Sequence, residues 1–138
     1  MFLDELNKNQ GIAFINLVTE FALSDDRIGK EEERIMEEFC LELKLSEEEI
    51  VDMDIDKVFE TIKASSERTI NIVYFELMRV GLADDAYEFS EVDFLQKVGD
   101  ELKIPRAKRI AFVNYFYKFS DAEPKNIEEA KREAEKLM

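Results

Sequence analysis

Leu23-Ser24-Asp25-Asp26-Arg27-Ile28-Gly29-Lys30-Glu31-Glu32 is written into the chain twice, the second time as Leu82-Ala83-Asp84-Asp85-Ala86-Tyr87-Glu88-Phe89-Ser90-Glu91. The two versions stand 59 residues apart, from Asp25 to Asp84, from Asp26 to Asp85 and from Glu32 to Glu91. Farther on, Glu42-Leu43-Lys44 returns as Glu101-Leu102-Lys103 at the same offset. In each copy an apolar run of helical period precedes the acidic pair, and another comes after the glutamate. The pattern predicts two helix–loop–helix units in tandem, each turning at an acidic loop.

The rest of the chain supports helices. Residues 2–8 read as a short helix ended by Asn9-Gln10-Gly11. A stronger one over 12–24 carries Phe14, Leu17, Val18 and Phe21 on one stripe. The next, over 30–43, has Ile35, Met36, Phe39, Cys40 and Leu43 on the apolar face and three glutamates in the first turn, where the helix dipole favours them. Ser46 and Glu49 have capping-box spacing and predict a short helix to about Val51. Residues 55–63 form another, with Val58, Phe59 and Ile62 turned inward, and Ser65 and Ser66 can cap the helix after it. The stretch 70–82 is apolar on almost every side, which puts it in the middle of the domain. Helices over 90–102 and from Pro105 to about 119 come next, the latter rich in aromatic residues. A last helix over 126–137 has a thin stripe of Ile127, Ala130, Ala134 and Leu137 and is expected to pack loosely on the rest or to dock to something else. No segment alternates like a strand for long. The expected fold is all-α: a compact single-domain helical bundle over 1–138, built from two repeated helix–loop–helix units, with its core at about 12–119.

Composition narrows the function. Only four glycines and two prolines interrupt the chain, which suits helices. A formal charge of −14 repels phosphates and anionic lipid headgroups, so nucleic acid and the membrane surface are poor partners and a basic protein surface is a good one. No apolar run approaches the ~18 residues of a membrane span. The N-terminus lacks the pattern of a signal peptide, so the expected location is the cytoplasm. With no histidine, and a single cysteine on an apolar helix face, the usual nucleophile–base pairs are missing and catalysis is not expected.

The repeated pattern resembles the TerB-like domain of tellurite-resistance proteins, a bacterial all-helical family that also includes the N-terminal part of certain membrane-anchored J-domain proteins. Its signature is an apolar helix ending in Ala-x-x-Asp-Gly, then an aliphatic residue, then a glutamate seven residues after the aspartate. The first copy matches at Ala22, Asp25, Ile28 and Glu32, and the second at Asp84 and Glu91, with Tyr87 in the aliphatic place. The resemblance covers about 12–119. Asp26 and Asp85 replace the family's glycine, which adds negative charge to each loop; aspartate still tolerates the left-handed turn. The resemblance implies a non-enzymatic role in a stress-response assembly, with a divalent-cation connection for some members.

Two readings of the acidic loops stay open. Asp25 and Asp84 can cap loop and helix amides while Glu32 and Glu91 sit in a favourable first turn, a purely structural role. Alternatively Asp25, Asp26 and Glu32, with Asp84, Asp85 and Glu91, offer hard oxygen ligands to a weakly bound calcium or magnesium ion. Arg27 and Ala86 stand where a third oxygen would be wanted, so neither loop holds a full cage by itself. Acids at Glu31-Glu32-Glu33, Glu37-Glu38 and Glu47-Glu48-Glu49 read either as an ordinary solvated surface or as a docking face for a basic partner. Lys103, Arg106, Lys108 and Arg109 gather at a helix start, where they can pair with the repeat carboxylates or hold a small anion.

Overall fold

Asn7 and Gln10 begin the first helix by capping one another. The Gln10 N–H donates to Asn7 Oδ1 (2.8 Å) and the Asn7 N–H to Gln10 Oε1 (2.9 Å), which satisfies amides that a helix start otherwise leaves open. Helix α1 (Lys8–Leu23) therefore runs straight through Asn9-Gln10-Gly11, where the sequence predicts a break. The helix expected over 2–8 is only a single 3-10 turn, Leu3–Glu5. Gly11 serves approach rather than turning: a Cβ there would lie 3.1 Å from Leu43 Cδ2 and 3.3 Å from Leu45 Cδ1.

The computed structural model describes residues 1–23, 30–82, 89–119 and 127–138, with backbone alone at 30–32, 82 and 89–91. Among them are seven α-helices and two 3-10 turns, and no strand. After α1 come α2 (Lys30–Leu43), a 3-10 turn at Glu47–Glu49, α3 (Ile55–Lys63) and α4 (Glu67–Leu82). The chain continues through α5 (Phe89–Glu101), α6 (Arg106–Lys118) and α7 (Ile127–Glu135). The architecture is an all-α bundle. The sequence places α2 and α3 at their observed bounds, and the expected Ser46–Glu49 capping box is present, with the Ser46 N–H donating to Glu49 Oε1 (3.2 Å).

Helices α1 and α4 form the middle. Helix α1 packs on α2, α3, α4 and α5, while α4 also touches α3, α5, α6 and the N-terminal turn. Residues 72–78 of α4 are all buried, as expected for a helix apolar on most sides. Phe75 sits at the focus of an aromatic cluster, its ring 4.8 Å from Phe116, 5.2 Å from Tyr115, 5.7 Å from Phe112 and 6.0 Å from Phe2. Asn16 fastens the extended segment before α3 onto α1. Its amide donates to Val51 O and Ile12 O, both at 2.9 Å, and its Oδ1 accepts the Met53 N–H at 2.9 Å.

Helices α2 and α5 end alike. In α2 the Leu45 N–H reaches Cys40 O (3.0 Å) and the Lys44 N–H reaches Leu41 O (3.2 Å), with Lys44 at φ 58°. In α5 the Ile104 N–H reaches Gly99 O (2.9 Å) and the Lys103 N–H reaches Asp100 O (3.1 Å), with Lys103 at φ 57°. Both are Schellman ends, which favour glycine at the left-handed residue. Every position in the second lies 59 after its counterpart in the first (40 to 99, 45 to 104), and both bounds of α4 lie 59 after those of α1. Because lysine is strained there, Lys44→Gly and Lys103→Gly should each raise stability by about 0.5–1 kcal/mol. Urea unfolding checks this, and a loss at either site would contradict the assigned cap.

Helix α7 is held more firmly than its thin stripe predicts. Ala130 and Ala134 are fully buried, and the Tyr115 hydroxyl donates to Ala130 O at 3.0 Å. Asn71, itself buried, donates to Met138 O at 3.2 Å. Arg68 of α4 grips Glu5 with two bonds (2.7 and 2.9 Å) and Glu135 of α7 at 2.8 Å, tying both ends of the chain to the central helix. That grip holds the Glu5 carboxyl below its usual range, chiefly through the hydrogen bond from Arg68.

Candidate functional site

The six carboxylates of the repeated loops do not enter the described geometry. Asp25, Asp26, Asp84 and Asp85 lie outside the described residues, and Glu32 and Glu91 belong to helix starts whose side chains are not described. Among the described residues, no group of three or more Asp, Glu or Cys side chains is arranged to hold a metal ion.

The acidic face does enter it. Glu33, Glu37, Glu38 and Leu41 point outward from α2, and Glu47 and Glu48 are exposed on the turn beyond it. Leu41 is 79 % exposed, so a large apolar side chain stands in water among carboxylates. Glu47 and Glu37 both bring negative charge to Cys40. Their charge adds to the larger effect of burial, and the half-buried Cys40 thiol is pushed up and stays protonated at neutral pH. Glu38 is the exception in this group, paired with Arg34 (3.1 Å) and Arg79 (3.9 Å). Glu37, Glu47 and Glu48 make no ion pair with any described residue.

The basic group is split by its contacts. Arg109 lies across Gly99, where a Cβ would fall 2.7 Å from its guanidinium carbon. Its Nε donates to Ile104 O (2.9 Å) and Nη1 pairs with Asp100 (3.0 Å), so this arginine closes the end of α5. Lys103 and Arg106 remain exposed and Lys108 half-buried. Helix α6 also exposes Ile110, Val113 and Tyr117.

No protein-family model, no curated protein and no solved structure matches the chain.

A charged cluster in the core escaped the sequence reading. Glu76 of α4 is fully buried. Its Oε1 accepts the Met1 ammonium at 2.9 Å and the Phe2 N–H at 3.3 Å, while Arg79 approaches Oε2 at 3.4 Å. Glu42 of α2 takes the other side of the same ammonium at 2.9 Å and the Leu3 N–H at 3.3 Å. Two carboxylates thus hold the first three residues so that the Phe2 and Leu3 side chains enter the core. The one visible signal was a glutamate between Phe75 and Leu77 in a helix otherwise apolar at that level. Buried charges persist where they are paired and hydrogen-bonded, and Glu76 is both.

Tyr115 lies beside this cluster, its hydroxyl 3.9 Å from Met1 Sδ. Burial pushes its phenol up to about 12, with Glu76 adding to the shift and Arg79 opposing it. The unfolded phenol titrates near 10, so this contribution to stability is complete below about pH 10 and lost as pH rises through about 12. Tyr115→Phe should remove that component, leaving the one from Tyr74, whose phenol is also raised by burial. Unfolding measured from about pH 9 to 12 tests this, and an equally steep fall in the variant would reject it.

The concavity on α7, about 500 Å³ between Glu128, Lys131, Arg132, Glu135 and Lys136, is an open trough lined by side chains of both signs. No helix among the described residues is long and apolar enough to cross a membrane.

Proposed function

We propose that the chain is a non-enzymatic interaction module of TerB-like architecture that binds a basic protein surface through the outer face of α2 and the turn after it. The observation that carries this is Leu41, 79 % exposed, with Glu37 one turn before it on α2 and Glu47 and Glu48 exposed on the turn after the helix, none of the three paired to any described residue. An apolar anchor with carboxylates in excess of the nearby cations Arg34 and Lys44 has the make-up of a docking patch: the anchor supplies affinity, the rim steering and partner choice. The matching Schellman ends and the constant 59-residue offset support the reading of two copies of one helical unit. The resemblance of the loop signature supports TerB-like membership and a place in a stress-response assembly.

The test uses fluorescein-labelled oligolysine as the basic probe, monitored by anisotropy. Reversing Glu37, Glu47 and Glu48 to lysine should weaken binding about tenfold. Reversing Asp93, Glu128 and Glu129 changes net charge by the same amount at exposed sites on α5 and α7, and should weaken it less than about threefold. Equal losses in the two sets would show that net charge alone attracts the probe, and the α2 face would be rejected.

A further inference from the structure

Helix α6 has no acidic residue in a chain of thirty-three acids: its sequence is RAKRIAFVNYFYK. Ile110, Val113 and Tyr117 are 51, 38 and 83 % exposed and succeed one another at i, i+3 and i+7, which aligns them in a single outward stripe. Arg106 stands at the N-terminal end of that stripe and Lys118 at the C-terminal end, both exposed. Single exposed apolar residues are ordinary, but three in line between two cations form a patch. Its charge is opposite to the balance of the chain's own α2 face, where Leu41 stands among Glu33, Glu37 and Glu38, with Arg34 paired to Glu38.

We propose that the basic surface docked by α2 is α6 of a second copy of this chain. This rests on the reading of α2 as a docking face and names its partner. The two helices have similar lengths, 14 and 13 residues, or about 20 Å each. Leu41 of one copy seats against Ile110, Val113 and Tyr117 of the other, while the α2 glutamates meet Arg106 and Lys118. A symmetric α6–α6 contact in antiparallel register is disfavoured, because it sets Arg106 of each copy against Lys118 of the other. The contact joins two different faces, so each single contact leaves an open α2 at one end and an open α6 at the other, and further copies extend it into a chain or close it into a ring. One helix pair buries less than the ~1,200 Å² of a stable interface, so association is weak, with a dissociation constant of roughly 100 µM. The net charge of −14 opposes encounter at low salt, and near 0.15 M the Debye length of about 8 Å leaves the local contact to decide.

Sedimentation velocity at about 0.15 M salt and up to about 500 µM protein tests this. The wild-type weight-average mass should climb with concentration well above that of a monomer. A Leu41→Glu variant and an Ile110→Ser/Tyr117→Asp variant should each stay monomeric, since each lacks one face; thermal unfolding confirms that these exposed changes leave the fold intact. Mixed, the two should form a 1:1 heterodimer and nothing larger, because only one intact face of each kind remains. A wild-type monomer at the highest concentration, self-association by either folded variant, or no heterodimer on mixing would overturn the proposal. Oligolysine binding to α2 is read separately. If it persists without self-association, the second copy is rejected and the docking face stands; if both fail, both readings fall.

Discussion

Glu76→Ala is expected to lower the unfolding free energy by about 3–5 kcal/mol, the cost typical of breaking a buried ion pair from one side. The substitution leaves the Met1 ammonium with Glu42 alone and removes the acceptor of the Phe2 N–H. The N-terminal segment then has less reason to keep Phe2 and Leu3 in the core, so packing is lost along with charge. Glu76→Gln keeps the volume and an acceptor for Phe2 and removes only the charge, and should cost roughly 1–3 kcal/mol. Denaturant unfolding of the two variants separates these effects. Equal losses would mean that the charge accounts for the whole effect, no loss in Glu76→Gln would mean that the charge contributes nothing, and no loss in Glu76→Ala would mean that the N-terminal segment is not docked there. A domain this size has about 5–15 kcal/mol in total, so the alanine variant should be visibly destabilised at room temperature.

Phe75→Ala should cost a similar amount, about 3–5 kcal/mol, for a different reason. Phe75 is fully buried and touches four other aromatic rings, from the N-terminal segment and from α6. Alanine removes the ring and leaves a cavity that Phe2, Phe112 and Phe116 cannot fill without leaving their own sites. Leucine recovers part of the volume and should recover part of the loss. Tyr117→Ala provides the contrast: the same helix α6, an aromatic 83 % exposed, and an expected change within about 0.5 kcal/mol. If Phe75→Ala proved no worse than Tyr117→Ala, the aromatic cluster would not be the centre of the core.

Local physics made much of this fold legible. Helices α2 and α3 fall at their expected bounds because each has one clear apolar face and a clear start. The sequence puts Pro105 at the first helical position of α6, and it stands one place earlier, at the N-cap. Gly11 misled because glycine reads as a breaker in sequence, whereas its missing Cβ admits Leu43 and Leu45, which come from α2 and the residues just beyond it. Helix α7 misled for a related reason. Two alanines look like a weak stripe, but small side chains allow close approach, and the bonds from Tyr115 and Asn71 come from residues outside the helix. Glu76 was hidden because its partner is the chain's own ammonium, which no residue pattern encodes. The acidic face is visible as glutamate runs, and the helical period that puts Ile35, Phe39 and Leu43 on the apolar face leaves Leu41 on the other side, where it stands exposed.

The central functional claim is that one acidic face, rather than acidity in general, receives a basic partner. Amide chemical-shift mapping of the ¹⁵N-labelled protein during an oligolysine titration asks this most directly. The expected shifts concentrate on α2 from Glu33 onward and on the turn through Glu48, with Leu41 among the largest. Shifts spread evenly over exposed acids on α3, α5 and α7, or concentrated on α7, would contradict it.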